Sequence, residues 1–333
     1  MARTLETTAA GCPTRLMARS ATLEPVPTAV VAAGSPVALE SARRATALGL
    51  IEPVLVGDPA AIADSARRIG WTLHGACVVP ARDDAAAARI AVALARSGDV
   101  GALMKGHIHT DTLMLAALDP KNGLRTGRRF THAFHMTLPG SERELVITDA
   151  AINVAPSLNT QLDIIRNAVE LWRLVGGNDP RVALLSCTEE VTERVPSSMD
   201  ADRLTRLCRQ EVPGATVFGP LALDLAVSAE AARIKNLTHP CAGAADILVV
   251  PNIETGNALF KALVHFLDAV AAGIVLGASV PIVLTSRADP PAARIAAAAI
   301  AQIVAGRRPS GTPGAPYPTT AANKGGAAPS LHA

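Results

Sequence analysis

The sequence predicts an α/β fold built on mainly parallel strands, and three observations carry that reading. Nearly half of the 333 residues are hydrophobic but only eight are Phe, Trp or Tyr, so the core must be assembled from Ala, Val, Leu and Ile. Such an aliphatic core suits buried parallel strands covered by Ala-rich helices. Short β-branched runs alternate with helical patterns along most of the chain. The length allows two domains, each with a core of ordinary size.

In chain order, residues 1–27 show no periodicity and read as a flexible N-terminal tail. Strands are expected at 29–32, 53–56, 101–104, 145–148, 182–185, 216–218, 247–250 and 281–285, and helices at 36–48, 84–96, 162–174, 201–208, 258–271 and 291–304. One section breaks the rhythm: FTHAFHMTLPGSERELVITD (130–149) holds two extended runs around Pro139-Gly140-Ser141, the pattern of an antiparallel hairpin. The passage between domains is placed near it. The apolar stretch 269–284 contains Gly273, Gly277, Ser279 and Pro281 and is shorter than a bilayer span, so it reads as a helix end plus a strand. The segment 307–333 is rich in Pro, Gly, Ser and Thr and reads as a disordered tail.

Composition excludes several classes of function. Lys plus Arg (31) nearly balances Asp plus Glu (29), no basic stripe appears, and one Tyr and two Trp offer no stacking platform for nucleic acid. The five cysteines show no C-x-x-C or Cys/His spacing, which fits free thiols in a reducing cytoplasm. The N-terminus has no apolar h-region, so no secretory signal is expected.

In open α/β sheets, ligands collect at the carboxyl ends of strands, where helices begin. Four such junctions are unusually polar. In VGALMKGHIHTDTLMLAAL (100–118), Lys105 and a helix capped by Thr110 would make an anion site. His107 and His109 point the same way in an extended loop, but no third metal ligand is near, and surface histidines explain the pair as well. In GLRTGRRFTHAF (123–134), Arg125, Arg128 and Arg129 are either a solvated loop or a clamp for phosphate. In DILVVPNIETGNALFKALVHF (246–266), a strand ends at Asn252, and Thr255 and Asn257 either cap the next helix or meet a ligand. No G-x-G-x-x-G follows a strand, which disfavours a nicotinamide cofactor. In VPIVLTSRADPP (280–291), Asp289 reads as an N-cap before two prolines. Arg287 is harder to explain, because a cation opposes the dipole at a helix N-terminus unless an anion joins it.

Taken together and in this order, LMKG (103–106), GLRTG (123–127), ITDAAINVAP (147–156), VALLS (182–186), GPLALDLAVS (219–228), ADILVVPNIETGN (245–257) and PIVLTSRAD (281–289) resemble the phosphate acetyl/butyryltransferase family, its butyryl branch most closely. The resemblance spans about 28–305. It implies a two-domain fold like that of isocitrate and isopropylmalate dehydrogenases, with an interdomain cleft. The first domain would be 28–138 completed by 286–306, and the second 139–285. It further implies a homodimer without metal or redox cofactor, with coenzyme A as a substrate; the cysteines and the composition add a cytoplasmic location and no membrane or nucleic-acid partner. The reaction implied is acyl-CoA plus phosphate giving acyl phosphate plus CoA, with an acyl group between acetyl and butyryl.

On this resemblance Ser286, Arg287 and Asp289 are the expected catalytic residues. Lys105, Thr110, Arg125, Thr126, Asn252, Thr255 and Asn257 are the expected substrate-binding residues. One departure stands out: acetyl-specific relatives place an aspartate, the proposed base, seven residues beyond the site serine, where this chain has Ala293. Asp289 is the nearer carboxylate. Two other readings stay open: a CoA- or phosphate-binding relative without catalysis, and an NAD-dependent decarboxylating dehydrogenase on the same fold. The dehydrogenase would want a cluster of aspartates for its metal, which the sequence does not show.

Overall fold

The computed structural model describes residues 11–73, 76–141, 143–285 and 289–306. The first half of the chain runs through α1 (Thr14–Ser20), β1 (Val26–Val31), α2 (Pro36–Ala47), β2 (Ile51–Gly57), α3 (Pro59–Arg68), β3 (Cys77–Pro80), α4 (Asp84–Ser97), β4 (Ala102–Lys105) and α5 (Thr110–Ala117). A hairpin of β5 (Thr131–Thr137) and β6 (Glu144–Thr148) follows. The next units are α6 (Leu158–Leu174), β7 (Arg181–Leu185), α7 (Pro196–Glu211), β8 (Thr216–Leu221), α8 (Leu223–Val227), α9 (Ala229–Ile234), β9 (Ile247–Val249) and α10 (Ile253–Leu267). Finally β10 (Val270–Leu276), β11 (Ile282–Val283) and α11 (Pro291–Ala305) bring the chain back to where it began.

Among the described residues, the strands join one mixed sheet of 11, ordered β3-β2-β1-β4-β11-β10-β5-β6-β9-β7-β8. β3, β2, β1, β4 and β11 form one parallel block, and β6, β9, β7 and β8 another. The centre is antiparallel, at β11–β10, β10–β5 and β5–β6, so the two blocks run in opposite directions. The expected alternation of strands and helices is therefore present, and so is the expected hairpin, closed by Gly140 at φ +71°.

Side chains alternate between the two faces of this sheet, and the faces are not equivalent. Val30, Met104, Val283, Ile274, Ala133, Val146, Val249 and Leu184 all feed one continuous apolar layer under α2, α3, α6, α7 and α11. Their neighbours on the other face fall into two separate clusters. Val31, Leu103, Ile282 and Val275 pack with α4 and α5, whereas Phe134, Ile147, Leu248 and Ala183 pack with α8 and α9.

The return of α11 to the first block is sealed by one amide. Gln302 is buried, and its Nε2 donates to the carbonyls of Leu23 (3.2 Å), Glu24 (2.9 Å) and Gly49 (3.1 Å), while its Oε1 accepts from Ser20 Oγ. Residues 14–20 thus form a packed helix inside the stretch read from sequence as tail. At seven residues the helix is too short for its periodicity to register, and it buries only Leu16 and Ser20.

Two further sequence readings change. The helix expected through residue 271 stops at Leu267, and Val270–Leu276 is a central strand. Its sequence, VAAGIVL, is apolar on both faces because both are covered, so no period distinguished strand from helix. The N-caps also move by one residue: His109, not Thr110, precedes α5, and Pro290, not Asp289, precedes α11. Neither cap supplies a side-chain acceptor.

Candidate active site

The helices that follow β1 and β4 leave for opposite faces of the sheet. α2 packs on the continuous face through Leu39 and Ala42, and α5 on the other through Leu113 and Ala117. Parting connections at adjacent parallel strands open a crevice at their carboxyl ends, the usual ligand position in such sheets. A cavity of about 280 Å³ lies there, lined by Ser35, Pro36, Val37, Ala38 and Ser41 of α2 and its cap, Met104 and Lys105 at the end of β4 with Gly106 and His107 beyond it, Val283 of β11 and Thr285 beyond it, and Arg294 of α11. A second cavity of about 260 Å³ shares Ser35 and His107 with it and continues toward Gly57 and Asp83.

Local chemistry explains this shape. Gly106 donates its N–H to Val31 O at 2.9 Å, and His107 donates to Ala32 O at 3.0 Å, which draws the end of β4 onto β1. A Cβ at Gly106 would stand 2.5 Å from Val31 O, so only glycine permits the approach. Ser35 Oγ accepts from Ala38 N at 3.2 Å and caps α2 at the cavity edge. Arg294 reaches back across its own first turn, donating from Nη2 to the Asp289 carbonyl at 2.5 Å. Burial lowers the pKa of Arg294 and the Asp289 charge opposes that fall; an arginine remains cationic at neutral pH.

A second polar group lies two strands away. His132 on β5 is buried and hydrogen bonded to the Leu284 carbonyl. Burial pushes its pKa down to about 4, against the pull of Asp149, so the ring is neutral at physiological pH. The buried Asp149 carboxylate accepts from the backbone N–H groups of His132, Ala151 and Ile152, each at 3.0 Å, and from Asn153 Nδ2 at 2.6 Å. Four donors make it the anchor of the ITDAAIN turn.

The residues expected from sequence fall at two ends of the sheet. Lys105 and Asp289 lie with Thr285 and Arg294 at the carboxyl end of the first block, and Thr110, half-buried, opens the adjoining α5. Ser286 and Arg287 lie outside the described residues. Arg125 and Thr126 belong to the other end: Arg125 bridges Ala278, and Thr126 Oγ1 donates to Gly277 O at 2.6 Å. The register sets Leu284 level with Gly273, five residues from Ala278, a separation of roughly 16 Å along the strand. Arg128 pairs with Glu170 at 2.6 Å. Asn252 caps α10, accepting from Thr255 N (2.9 Å) and Thr255 Oγ1 (2.7 Å), and it lines a third cavity at the carboxyl ends of β7 and β9. Asn257 is half-buried on the same helix. His107 and His109 are both exposed, on either side of buried Ile108. Among the described residues, no three His, Cys, Asp or Glu side chains converge as a metal site.

Sequence reasoning missed Arg294 and His132. Arg294 did carry a signal, being the one charge in PAARIAAAAIAQIVA, placed in a first turn where the dipole disfavours it. His132 carried none, since its partner is a backbone carbonyl on a strand 150 residues away.

A doubly wound sheet with cationic side chains and capped helix starts at its strand ends is the architecture of a phosphate-binding α/β protein. Comparison with known proteins sharpens this. The profile of the family described as phosphate acetyl/butaryl transferase matches residues 83–302. The chain is 45% identical over 295 residues to the phosphate acetyltransferase of Rhizobium meliloti, covering 88% of this chain and 93% of that protein. It is 38% identical over 279 residues to the phosphate butyryltransferase of Clostridium acetobutylicum, covering 84% and 92%. The crystal structure of a branched-chain phosphotransacylase from Enterococcus faecalis V583 superposes with a TM-score of 0.74 at 34% identity, over 84% of this chain and 99% of that one. The chain belongs to the phosphate acetyl/butyryltransferase family, and it is an acyltransferase.

Proposed function

We propose that the protein transfers a short acyl group reversibly between coenzyme A and inorganic phosphate, both substrates being held in one ternary complex. The observation that carries this reading is the cavity at the strand ends of the first block. It sets Lys105 and Arg294 against apolar walls, in a chain of this family. A phosphate oxygen attacks the thioester carbonyl carbon, a tetrahedral intermediate forms, and the carbon–sulfur bond breaks to release CoA. Holding both reactants together supplies much of the acceleration. Arg287 acts on phosphate or on the carbonyl oxygen as it gains charge, and Ser286 orients the reacting groups. In the reverse direction the CoA thiol must lose a proton. Ala293, where acetyl-specific relatives carry the proposed base, is buried in the core of α11. Asp289, whose backbone carbonyl accepts from Arg294, is the carboxylate proposed in its place.

The two groups of polar residues suit a long substrate. Coenzyme A carries its thiol on an extended arm remote from its nucleotide phosphates. Arg125, Thr126, Asn252, Thr255 and Asn257 at one end of the sheet, and the Lys105 and Asp289 group at the other, are proposed to act on different parts of the bound molecules. A division into residues 28–138 with 286–306, and 139–285, with a cleft between them, is proposed; the two separate clusters on one face of the sheet support two units, but they group Val275, Ile282 and Leu284 with the first and Phe134 and Met136 with the second.

A homodimer is supported by α10, which buries only Gly256 among its 15 residues and leaves Phe266 84% exposed and Leu267 51% exposed. Apolar patches of this kind mark interaction surfaces. Among the described residues no helix is long and apolar enough to cross a membrane, and a cytoplasmic enzyme is proposed.

The test is thiol release from acyl-CoA, followed with a thiol reagent, with and without phosphate or arsenate. Phosphate-dependent release is expected from at least one of acetyl-, propionyl- and butyryl-CoA, and its absence from all three sinks the proposal. The non-catalytic reading, favoured by the buried Ala293, predicts CoA binding without release. Arg287→Ala should lower turnover by orders of magnitude at an unchanged circular dichroism spectrum, and near-normal rates would remove Arg287 from the mechanism.

A further inference from the structure

We infer that the cavity between α2 and α11 receives the acyl chain, and that Val37 and Met104 set the chain length accepted. The inference rests on the acyl-transfer reading and extends it to specificity.

The cavity is two-sided. Its walls toward the sheet and α2 are mostly apolar, made by Pro36, Val37, Ala38, Met104 and Val283, with Ser35 and Ser41 as the polar members on the α2 side. Met104 and Val283 stand side by side in register on neighbouring strands, both buried, and close the floor. Its rim is polar and cationic, with Lys105, Arg294 and the Thr285 hydroxyl. An apolar recess with a cationic mouth matches a short aliphatic tail that ends in an anionic head, which is the chemistry of an acyl phosphate. It does not match a nucleotide base, for which this lining offers no Phe, Tyr or Trp wall and no Asn or Gln amide.

Size decides the class of tail. At about 280 Å³ the cavity holds roughly nine times a water's share of liquid volume. An acetyl group brings one methyl to these walls and leaves most of them unpaired, whereas four or five carbons reach the floor. Each buried methylene is worth roughly a fourfold gain, so butyryl should exceed acetyl by roughly fifteenfold in kcat/KM. Val37 is half-exposed, so enlarging it projects into the cavity without disturbing the core. Met104 lies at the floor, so shortening it deepens the recess.

The experiment measures kcat/KM for phosphate-dependent thiol release from acetyl-, butyryl- and isovaleryl-CoA. Wild type, Val37→Phe and Met104→Ala are compared, and the ratio between acyl groups is taken within each preparation, so that partial loss of folded protein cancels. The expected result is a wild-type butyryl-to-acetyl ratio of about ten or more, a fall of at least tenfold in that ratio for Val37→Phe, and an isovaleryl-to-butyryl ratio raised severalfold in Met104→Ala. Release that favours acetyl in the wild type, or ratios that neither variant moves, overturns the pocket assignment and leaves acyl transfer standing. No phosphate-dependent release from any acyl-CoA overturns acyl transfer itself, and the pocket with it.

Discussion

His132 reaches over β10 to the carbonyl of Leu284, and it can do so because residue 273 is glycine. His132 sits on β5 and Leu284 just beyond β11, with β10 between them. A Cβ at Gly273 would stand 3.0 Å from His132 Nε2, 3.0 Å from Leu284 O and 3.0 Å from Phe134 Cε1. The bond therefore ties the central hairpin to the strand whose continuation holds Thr285.

Gly273→Ala should accordingly destabilise the protein by about 1–3 kcal/mol, the cost of overpacking a filled core, and lower kcat. His132→Phe keeps the ring's bulk and its edge contact with Phe134 but loses the hydrogen bond, worth about 1 kcal/mol. Thermal melts and steady-state kinetics on both variants check this. A Gly273→Ala protein with unchanged Tm and kcat would show that the spacing is slack.

Buried histidines set an acid limit on stability. Burial lowers both His132 and His135 to about 4, from an ordinary value of 6.5. Asp149 opposes the fall at His132, and Arg15 adds to it at His135. The unfolded chain then binds protons more readily, so the stability is whole above pH 6.5 and drains as pH falls toward 4. Each ring accounts for at most about 3 kcal/mol. Glu144, whose Oε2 is 3.9 Å from His135 Nε2, is raised by burial and works the other way, its contribution whole below the ordinary carboxylate value and lost as pH rises from there through the raised one. Tm measured from pH 8 to pH 4 should drop mainly below 6.5, and His135→Phe should flatten the slope.

Arg294 is expected to hold phosphate at the cavity mouth. Charge-assisted bonds of this type contribute about 1.5–3 kcal/mol, so Arg294→Ala should raise the phosphate KM tenfold or more. Kinetics at varied phosphate decide it: an unchanged KM assigns the guanidinium only to the Asp289 carbonyl.

The proposed dimer makes its own demand. Phe266→Asp puts a charge on the exposed end of α10 and should shift the protein to monomer in size exclusion with light scattering. A dimer that persists unchanged would move the interface elsewhere.

The sequence by itself determined the fold class, the family and most element positions, because alternating aliphatic runs, helix starts and strand-end motifs are local signals. It also singled out Lys105 and Asp289, which lie together at the carboxyl end of the first block, while Ser286 and Arg287 lie outside the described residues. The centre of the sheet was not legible: VAAGIVL is apolar on both sides, since both sides are covered, and Gly273 looked like a break rather than room for a ring from another strand. Nor did motif order reveal that Arg125 and Lys105 lie at opposite ends of the sheet, which follows because α5 carries the chain back from the end of β4 to the start of β5, a strand parallel to β4. Val37, Met104, Val283 and Arg294 come from four separate segments, each of which reads alone as ordinary core or helix start. Only their convergence between α2 and α11 makes a recess, because a pocket is a property of the space between elements, and local sequence carries no record of that space.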